Sequence, residues 1–336
     1  MRKRAPLPIF VSFLFDALAV CFMLGVFMLI RQQLLVSDLG LNQNILLHEN
    51  TPAPEPTPSL PELSPAYTAT PEAMPTTPTP SPSPTPEPGD FSATFPDYDT
   101  SQGIDALHSY QTDDMRIIVY SGYRDEATYY VADVWVRNFR MFQTGFADKR
   151  YRPGYVGQLT PIIAEAYGAI VAISGDYYSQ KGVGLVIRNG TLYRDSIVAD
   201  VCVLYTDGVM ESYFQKDADI EAIIARGAYQ AWSFGPKLLD HGEAPAAYRS
   251  ENAGRNPRAA VGYFEPGHYC LVVIDGRQGA YSRGMTYPQM SQLFISLGCV
   301  DAYNLDGGQT AMMVFLGEVV NRPYRNGRTV SDILFF

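Results

Sequence analysis

The sequence predicts an α+β fold in which a large mixed, mainly antiparallel sheet dominates and helices are few. Short apolar runs recur through residues 90–336, and several of them alternate apolar and polar side chains as half-buried strands do. Only three segments carry the start and stop residues of helices. One transmembrane helix and a disordered Pro-rich linker are predicted to precede this domain.

The first 30 residues have the pattern of a signal anchor. Residues 1–7 form a basic terminus, and residues 8–30 are almost wholly apolar, interrupted only by Ser12, Asp16 and Gly25. A helix rising about 1.5 Å per residue over this run spans a hydrocarbon core of about 30 Å. The basic end predicts a single-pass protein of the cell membrane with a cytoplasmic N-terminus and an extracellular domain. A cleaved signal peptide is the alternative, although no clean small-x-small cleavage site follows the run.

Residues 31–89 are predicted to be a juxtamembrane piece and a linker. The stretch from residue 51 to residue 89 holds 14 of the 25 prolines together with many Thr, Ser and Glu, and it contains no Lys or Arg. Such a composition cannot bury a core and favours an extended, polyproline-like spacer. The domain is therefore predicted to begin at residue 90.

Residues 90–336 contain the predicted strands and helices. Strand-like runs cover residues 115–120, 129–137, 170–173, 184–187, 201–204, 259–263, 269–274 and 333–336. Helices are predicted over residues 160–167, 218–226 and 286–297. Prolines lie just inside the first and last of these, and Gly298 would end the last one.

Composition excludes several classes of function. The net charge of −10 makes nucleic acid an improbable partner, because phosphates would be repelled. The four histidines show no metal-binding spacing, and the aspartates show no calcium-loop spacing, so neither a metal nor another cofactor is predicted. Cys202, Cys270 and Cys299 form no Cys-x-x-Cys pair and are interpreted as buried small apolar residues, with one disulfide left open.

The most informative stretch is Asn304-Leu305-Asp306-Gly307-Gly308-Gln309-Thr310 between two apolar, strand-like runs. Glycines let backbone N–H groups approach a ligand, so a carboxylate, amides and a hydroxyl at a strand end could form an active-site loop. A tight hairpin turn is the alternative, since Asp-Gly between apolar runs is typical of one.

Four further segments combine glycine and charge at apparent strand ends. Asp176 precedes Tyr177 and Tyr178, which could stack on a sugar. Phe234-Gly235-Pro236 follows an aromatic run, and Arg258 opens a strand where its planar group could hold phosphate or carboxylate. Asp275 and Arg277 follow another strand, and Ser282 to Thr286 lead into a helix whose N-terminus can bind an anion. Surface turns, packed loops and ordinary salt bridges are the alternatives for these segments.

The order of these segments resembles that of the phosphodiester glycosidase family. The resemblance extends from about Ala172 to Pro323. It rests on Ile173-Ser174-Gly175-Asp176-Tyr177-Tyr178, Gly184-Leu185-Val186-Ile187-Arg188-Asn189-Gly190, Phe234-Gly235-Pro236, Asn256-Pro257-Arg258-Ala259-Ala260-Val261-Gly262, Asp275-Gly276-Arg277, Ser282-Arg283-Gly284-Met285-Thr286, Asn304-Leu305-Asp306-Gly307-Gly308 and Val320-Asn321-Arg322-Pro323. Two departures are Gln309-Thr310, where the family usually has Gly-Ser, and Ser174, where it often has Asn.

The resemblance implies hydrolysis of the glycosidic bond of a sugar 1-phosphodiester or a related surface glycan. Asp306 is the expected nucleophile or base, with Asp176 or Asp275 as the second carboxylate. The expected substrate-binding residues are Arg258, Arg277, Asn304, Gly307, Gly308, Gln309, Thr310, Tyr177, Ser282 and Thr286. A non-catalytic module for glycan binding or exopolysaccharide assembly is the alternative function.

Overall fold

The computed structural model of the chain describes residues 89–155, 157–248, 250 and 252–336. The predicted cytoplasmic terminus (residues 1–7), the membrane span (8–30) and the linker apart from its last residue lie outside the described residues. Within these described ranges, no helix is long and apolar enough to cross a membrane.

Short strands and three α-helices make up the described part of the chain. The strands are β1 (Ala106–Gln111), β2 (Met115–Arg124), β3 (Ala127–Val136), β4 (Gln143–Phe146), β5 (Val171–Ser174), β6 (Val186–Arg188), β7 (Thr191–Arg194), β8 (Val201–Tyr205), β9 (Met210–Tyr213), β10 (Ala228–Trp232), β11 (Lys237–Leu239), β12 (Arg258–Glu265), β13 (His268–Ile274), β14 (Asp301–Leu305), β15 (Met313–Phe315), β16 (Glu318–Val319) and β17 (Asp332–Phe335). The helices are α1 (Thr160–Tyr167), α2 (Ile220–Ala225) and α3 (Tyr287–Leu297), and single 3-10 turns cover Phe139–Met141, Ala147–Lys149, Gly308–Thr310 and Tyr324–Asn326.

The strands form three antiparallel sheets where the sequence predicts one large mixed sheet. Sheet A has seven strands in the order β1-β2-β3-β13-β12-β14-β11. Sheet B has five in the order β7-β6-β10-β8-β9, and sheet C has five in the order β16-β15-β5-β17-β4. The α+β class and the antiparallel pairing are confirmed. The single mixed sheet is wrong, because hydrophobic periodicity shows where a strand lies and not which strand it pairs with.

The main hydrophobic core lies where the three sheets meet. It includes Val134 and Leu271 from sheet A, Leu204 and Trp232 from sheet B, and Ile173 from sheet C. Strands β5, β8 and β14 are buried along their whole length. Burial on both faces explains why β5 and β8 read as almost continuous apolar runs. In β14 the buried polar residues Asp301 and Asn304 have hydrogen-bond partners.

The three predicted helices are confirmed, and each covers the outer face of one sheet. In α3 a capping box joins Thr286 and Gln289 at the start, and Gly298 ends the helix with a φ of 88° that favours glycine. The helix packs Met290 and Phe294 onto sheet A. Helices α1 and α2 pack in the same way onto sheets C and B.

The three cysteines in the described part of the chain are buried and free, as small apolar residues would be. Cys270 and Cys299 lie near each other, with their sulfur atoms 3.8 Å apart. Gly262 makes room for both, because a Cβ built on it would lie 2.7 Å and 2.9 Å from the two sulfur atoms. These cysteines therefore belong to the packing between sheet A and α3.

Candidate active site

Polar side chains gather at one edge of sheet A, where three of its strands begin or end. Strand β14 ends at Leu305 and is followed by Asp306, while the neighbouring β12 begins at Arg258. Arg258 pairs with Ile274, the last residue of β13, so Asp275 follows at the same edge. Antiparallel pairing thus brings together three residues that are far apart in the chain.

Backbone hydrogen bonds join Asp306 to sheet C. The Asp306 N–H donates to the Gly175 carbonyl over 2.9 Å, and the Asp306 carbonyl accepts from the Ser174 hydroxyl over 2.8 Å. Gly175 follows β5, and a Cβ built on it would lie 2.0 Å from a carboxylate oxygen of Asp332, so only glycine fits. The loop after β14 is therefore fixed at the junction of sheets A and C.

A cavity of about 640 Å³ opens at this junction. It is lined by Lys181, Val198, Phe234, Gly235, Ser250, Asn252, Asn256, Arg258, Arg277, Tyr287, Asp306, Gly307, Gly308, Gln309 and Arg328. Among these described lining residues four are basic and Asp306 alone is acidic. The cavity therefore favours an anionic ligand, in contrast to the net charge of −10 of the chain.

Asp306 is a buried carboxylate with one oxygen available for chemistry. Its side chain belongs to a residue that is only 7% exposed, and its Oδ2 has no hydrogen-bond partner in the described part of the chain. The Arg328 guanidinium lies 3.6 Å from that oxygen. Burial raises the pKa of Asp306 to about 6, while Arg328, Thr310 and Lys181 partly oppose the rise. Such a carboxyl is ionised at neutral pH but weakly solvated, which suits a base or a nucleophile.

Arg258 and Arg277 are held by oxygen atoms of neutral groups. Arg258 donates from Nε to the Met285 carbonyl over 3.1 Å and from Nη2 to the carbonyls of Asn252 and Gly254 over 2.7 Å. Arg277 donates twice to the Asn256 side chain, over 3.1 Å and 2.7 Å. Because these described partners carry no charge, both guanidinium groups keep their positive charge for a ligand.

The Arg258 guanidinium also lies over the Tyr287 ring, 4.1 Å from its centroid. This contact supports the planar group from the side of α3. The salt bridge considered as an alternative for Arg258 is therefore replaced, among the described residues, by carbonyl and aromatic contacts.

The two glycines after Asp306 are required by close packing. A Cβ on Gly307 would lie 2.7 Å from the Pro257 carbonyl oxygen, and Gly308 has a φ of 66°. A Cβ on Gly308 would also lie 3.4 Å from the Arg277 guanidinium. The next residue, Gln309, donates to the Gly327 carbonyl over 2.8 Å and so ties the loop to the segment that carries Arg328.

Asp176 lies beneath the cavity and does not line it. Its Oδ1 accepts from the Tyr178 N–H over 3.1 Å and lies 2.9 Å from Nη2 of Arg188, and its Oδ2 accepts from the Ser233 N–H over 3.0 Å. Arg188 is fully buried and also bonds Asp332, with Nε 2.9 Å from its Oδ2. Burial raises the pKa of Asp332, Arg188 opposes this rise, and the nearby Asp176 adds to it.

Asp275 holds a loop together instead of facing the cavity. It accepts from the Asn321 side chain over 2.7 Å, from the Arg322 N–H over 3.0 Å and from the Tyr281 hydroxyl over 2.8 Å. Burial raises its pKa, and these three hydrogen bonds lower it. Both of its oxygens are therefore engaged.

The remaining predicted residues surround the cavity without lining it. Asn304 is buried beneath the loop and donates to the Gly235 carbonyl over 2.7 Å, and Thr310 donates to the Gly307 carbonyl over 2.7 Å. Tyr177 has its ring 5.6 Å below the Arg328 guanidinium. The two others serve local structure: Ser282 bonds the Asp275 carbonyl over 2.6 Å, and Thr286 caps α3.

The structure thus gathers six of the predicted residues around the cavity: Arg258, Arg277, Asp306, Gly307, Gly308 and Gln309. Sequence reasoning missed Lys181 and Arg328, which lie in loops a few residues before β6 and β17 and not directly at a strand end. It also missed Asp332, although a charge that opens an apolar run indicates a buried group with a partner.

No group of three or more His, Cys, Asp or Glu side chains in the described ranges is arranged to hold a metal ion. The charged groups among the described cavity residues are one carboxylate, three guanidinium groups and one ammonium group.

Comparisons with known proteins find a matching family and a relative. The sequence model of a family described as phosphodiester glycosidase matches residues 167–336. The SPbeta prophage-derived protein YomE of Bacillus subtilis (strain 168) is 30% identical over 242 residues, which cover 64% of this chain and 37% of that relative. The chain thus spans well under half of the length of that relative.

Two solved structures are similar in fold. The catalytic domain of zebrafish N-acetylglucosamine-1-phosphodiester alpha-N-acetylglucosaminidase, auto-inhibited by its pro-peptide, is 22% identical with a TM-score of 0.51, covering 68% of this chain and 85% of that one. A hypothetical protein from Synechocystis is 14% identical with a TM-score of 0.51, covering 69% of this chain and 64% of that one. At these identities the likeness concerns the fold alone.

Proposed function

The chain belongs to the phosphodiester glycosidase family, and from this membership and the cavity we propose that it hydrolyses the glycosidic bond of a sugar 1-phosphodiester. The observation that carries the proposal is the position of Asp306: a buried carboxylate whose Oδ2 accepts no hydrogen bond from the described residues and lies 3.6 Å from Arg328, in a cavity lined by four basic side chains. A phosphodiester supplies the negative charge that these side chains favour, and its sugar carbon supplies the centre on which a carboxylate can act.

In the proposed reaction Arg258 and Arg277 bind the phosphodiester. Both guanidinium groups can donate to phosphate oxygens as the negative charge of the leaving group grows, which stabilises the transition state. The bond between sugar C1 and the phosphate oxygen breaks, and the phosphate monoester departs with the electron pair. A phosphate is a good leaving group, so a strong general acid is not needed.

Asp306 acts at C1 in its ionised form. As a base it takes a proton from the water that attacks C1; as a nucleophile it forms a glycosyl ester that water then hydrolyses. The first route inverts the configuration at C1 and the second retains it. Proton NMR of the anomer released at early times distinguishes these two routes.

The proposed mechanism uses one carboxylate where the sequence predicts two. Each oxygen of Asp176 has a hydrogen-bond or ion-pair partner, and each oxygen of Asp275 accepts hydrogen bonds. We therefore assign both to the support of the site: Asp176 beneath the Asp306 loop, and Asp275 at the base of the loop that carries Arg322.

We also propose that residues 8–30 anchor the chain in the cell membrane and that the domain acts outside the cell, on a surface glycan. The apolar run, its basic flank and the proline-rich spacer support this proposal. Protease treatment of intact cells tests it: an extracellular domain is degraded while the N-terminus is protected, and a fully protected chain would contradict the topology.

The enzymatic proposal is tested with the full-length chain and an α-N-acetylglucosamine 1-phosphodiester, by measuring the free sugar released. We expect Asp306→Asn to lower kcat by a factor of about 10³ or more, since a carboxylate that touches the reacting atoms is lost. Asp301→Asn is the matched control, because Asp301 is a buried carboxyl at the other end of the same strand. Equal activity of Asp306→Asn and the wild type would remove Asp306 from the mechanism, and binding without release would favour the glycan-binding alternative.

A further inference from the structure

The basic side chains of the cavity form two separate groups. Arg258 and Arg277 are tied to the loop of residues 252–256, through carbonyls of that loop and through the side chain of Asn256. Lys181 lies instead over the ring of Phe234, with its ammonium 4.5 Å from the centroid. Arg328, the fourth basic side chain, lies near Asp306.

Arg328 lies 3.6 Å from Asp306 and over the ring of Tyr177. Arg328 and Lys181 both lower the pKa of Asp306. Arg258 and Arg277 are instead both held by groups of residues 252–256. This grouping gives the cavity two cationic regions.

The charges of the cavity exceed what one phosphodiester balances. Among the described lining residues, four positive charges face the single carboxylate of Asp306, which leaves a net charge of +3. A phosphodiester adds one negative charge, and the two arginines that would bind it are those near residues 252–256. Lys181 has no carboxylate in ion-pair contact among the described residues, and burial lowers its pKa, so an anion beside it would be stabilising.

We propose that Lys181 and Arg328 form a second anion subsite, so that the sugar released by the enzyme itself carries a phosphate or a carboxylate. This inference rests on the proposed function. Lys181 and Arg328 line the same cavity, and Arg328 lies 3.6 Å from Asp306, so a substituent of a sugar whose C1 is at Asp306 can reach them. A sugar with a phosphodiester at C1 and a second anionic group elsewhere on the ring is a repeating unit of a polyanionic glycan, and that is the substrate class assigned to the cavity.

Kinetics on three synthetic substrates test the subsite. The substrates are methyl phosphodiesters of one α-hexose with a free hydroxyl, a phosphate or a carboxylate at C6. We expect kcat/KM to be at least about tenfold higher for one or both anionic sugars, the usual size of a charged hydrogen bond. Comparison of the phosphate and carboxylate substrates shows which anion the site prefers.

Lys181→Met should remove most of that preference, and added salt should weaken it in the wild type because ionic screening reduces the attraction. Lys216→Met is the matched control: this lysine is exposed, pairs with Asp217 at 3.8 Å and lies outside the cavity. If Lys181→Met keeps the preference for anionic sugars, another part of the molecule causes that preference, and the proposed subsite is overturned.

The outcomes separate the two proposals. Hydrolysis of the neutral sugar with no gain for the anionic ones would refute the second subsite and leave the proposed function intact. If no substrate is hydrolysed, calorimetry with hexose 1-phosphate and hexose 1,6-bisphosphate decides. Tighter binding of the bisphosphate to the wild type than to Lys181→Met supports the subsite, and equal binding overturns it.

Discussion

Replacing Asp306 by Asn should abolish activity and at the same time stabilise the fold. The carboxyl has its pKa raised by burial to about 6, from a usual value of 3.8. The folded state therefore holds its proton more tightly than the unfolded state does. Stability from this group is present at low pH and is lost as the pH rises through the folded-state value.

The size of the effect follows from these two values. The raised pKa of Asp306 lowers the free energy of unfolding by about 3 kcal/mol at pH 7.5. At pH 4.5 the loss is only about 1 kcal/mol, because the carboxyl is then mostly protonated in the folded protein. Asparagine has nearly the same shape and no charge to desolvate. The difference in free energy of unfolding between Asp306→Asn and the wild type should therefore be about 2 kcal/mol larger at pH 7.5 than at pH 4.5. For a domain of this size that change corresponds to about 4–8 °C in Tm.

Thermal unfolding of both proteins by calorimetry, at several pH values between 4.5 and 7.5, measures this difference. Other buried acids titrate in both proteins, so their contributions cancel in the comparison. Asp97→Asn serves as a control for the Asp-to-Asn change itself, because Asp97 is exposed. A Tm difference for Asp306→Asn that stays constant across this range would refute the idea that the buried, ionised carboxylate destabilises the folded protein.

Two other variants test the roles given to the supporting groups. Arg188→Met should destabilise the protein by about 3–5 kcal/mol, because it leaves Asp176 and Asp332 buried without their shared cation. Urea unfolding measures this loss, and a variant as stable as the wild type would show that the three groups are not coupled. Asp275→Asn should lower stability by about 1–3 kcal/mol while kcat falls far less than in Asp306→Asn, since Asp275 only accepts hydrogen bonds from its neighbours; a loss of activity as large as that of Asp306→Asn would place Asp275 in the reaction instead.

Sequence patterns identified elements more reliably than their arrangement. Helix α3 was predictable from its proline, its cap and Gly298, since these are local features of the chain. The division into three sheets was not, because β5 and β8 read alike as apolar runs although they belong to different sheets. Strand partners are decided by contacts between residues far apart in sequence, which periodicity does not report.

The same limit applies to the site. Asp306 and Arg258 follow and open apolar strands, and that position marks them as residues at a sheet edge. Asp275 has the same position, yet its oxygens are turned to Asn321 and Arg322. Arg328 lies in the loop between the turn Tyr324–Asn326 and β17, not directly at a strand end, and is still 3.6 Å from Asp306. A residue's place at a strand end is therefore predictable from sequence, whereas the direction of its side chain depends on loops that only the fold positions.

The geometry also explains how a costly carboxylate can be kept in place. The Asp306 N–H donates to the Gly175 carbonyl. Asp176, which follows Gly175, forms an ion pair with Arg188, and Arg188 also pairs with Asp332. Arg188 belongs to sheet B, Asp332 to sheet C, and Asp176 to the turn that follows β5 of sheet C. The buried Arg188 therefore joins sheets B and C beneath the Asp306 loop, which comes from sheet A. Because buried ion pairs are costly to break, the junction resists the relaxation that would let Asp306 turn toward solvent. The network beneath the cavity thus holds the Asp306 carboxylate in the buried position that raises its pKa.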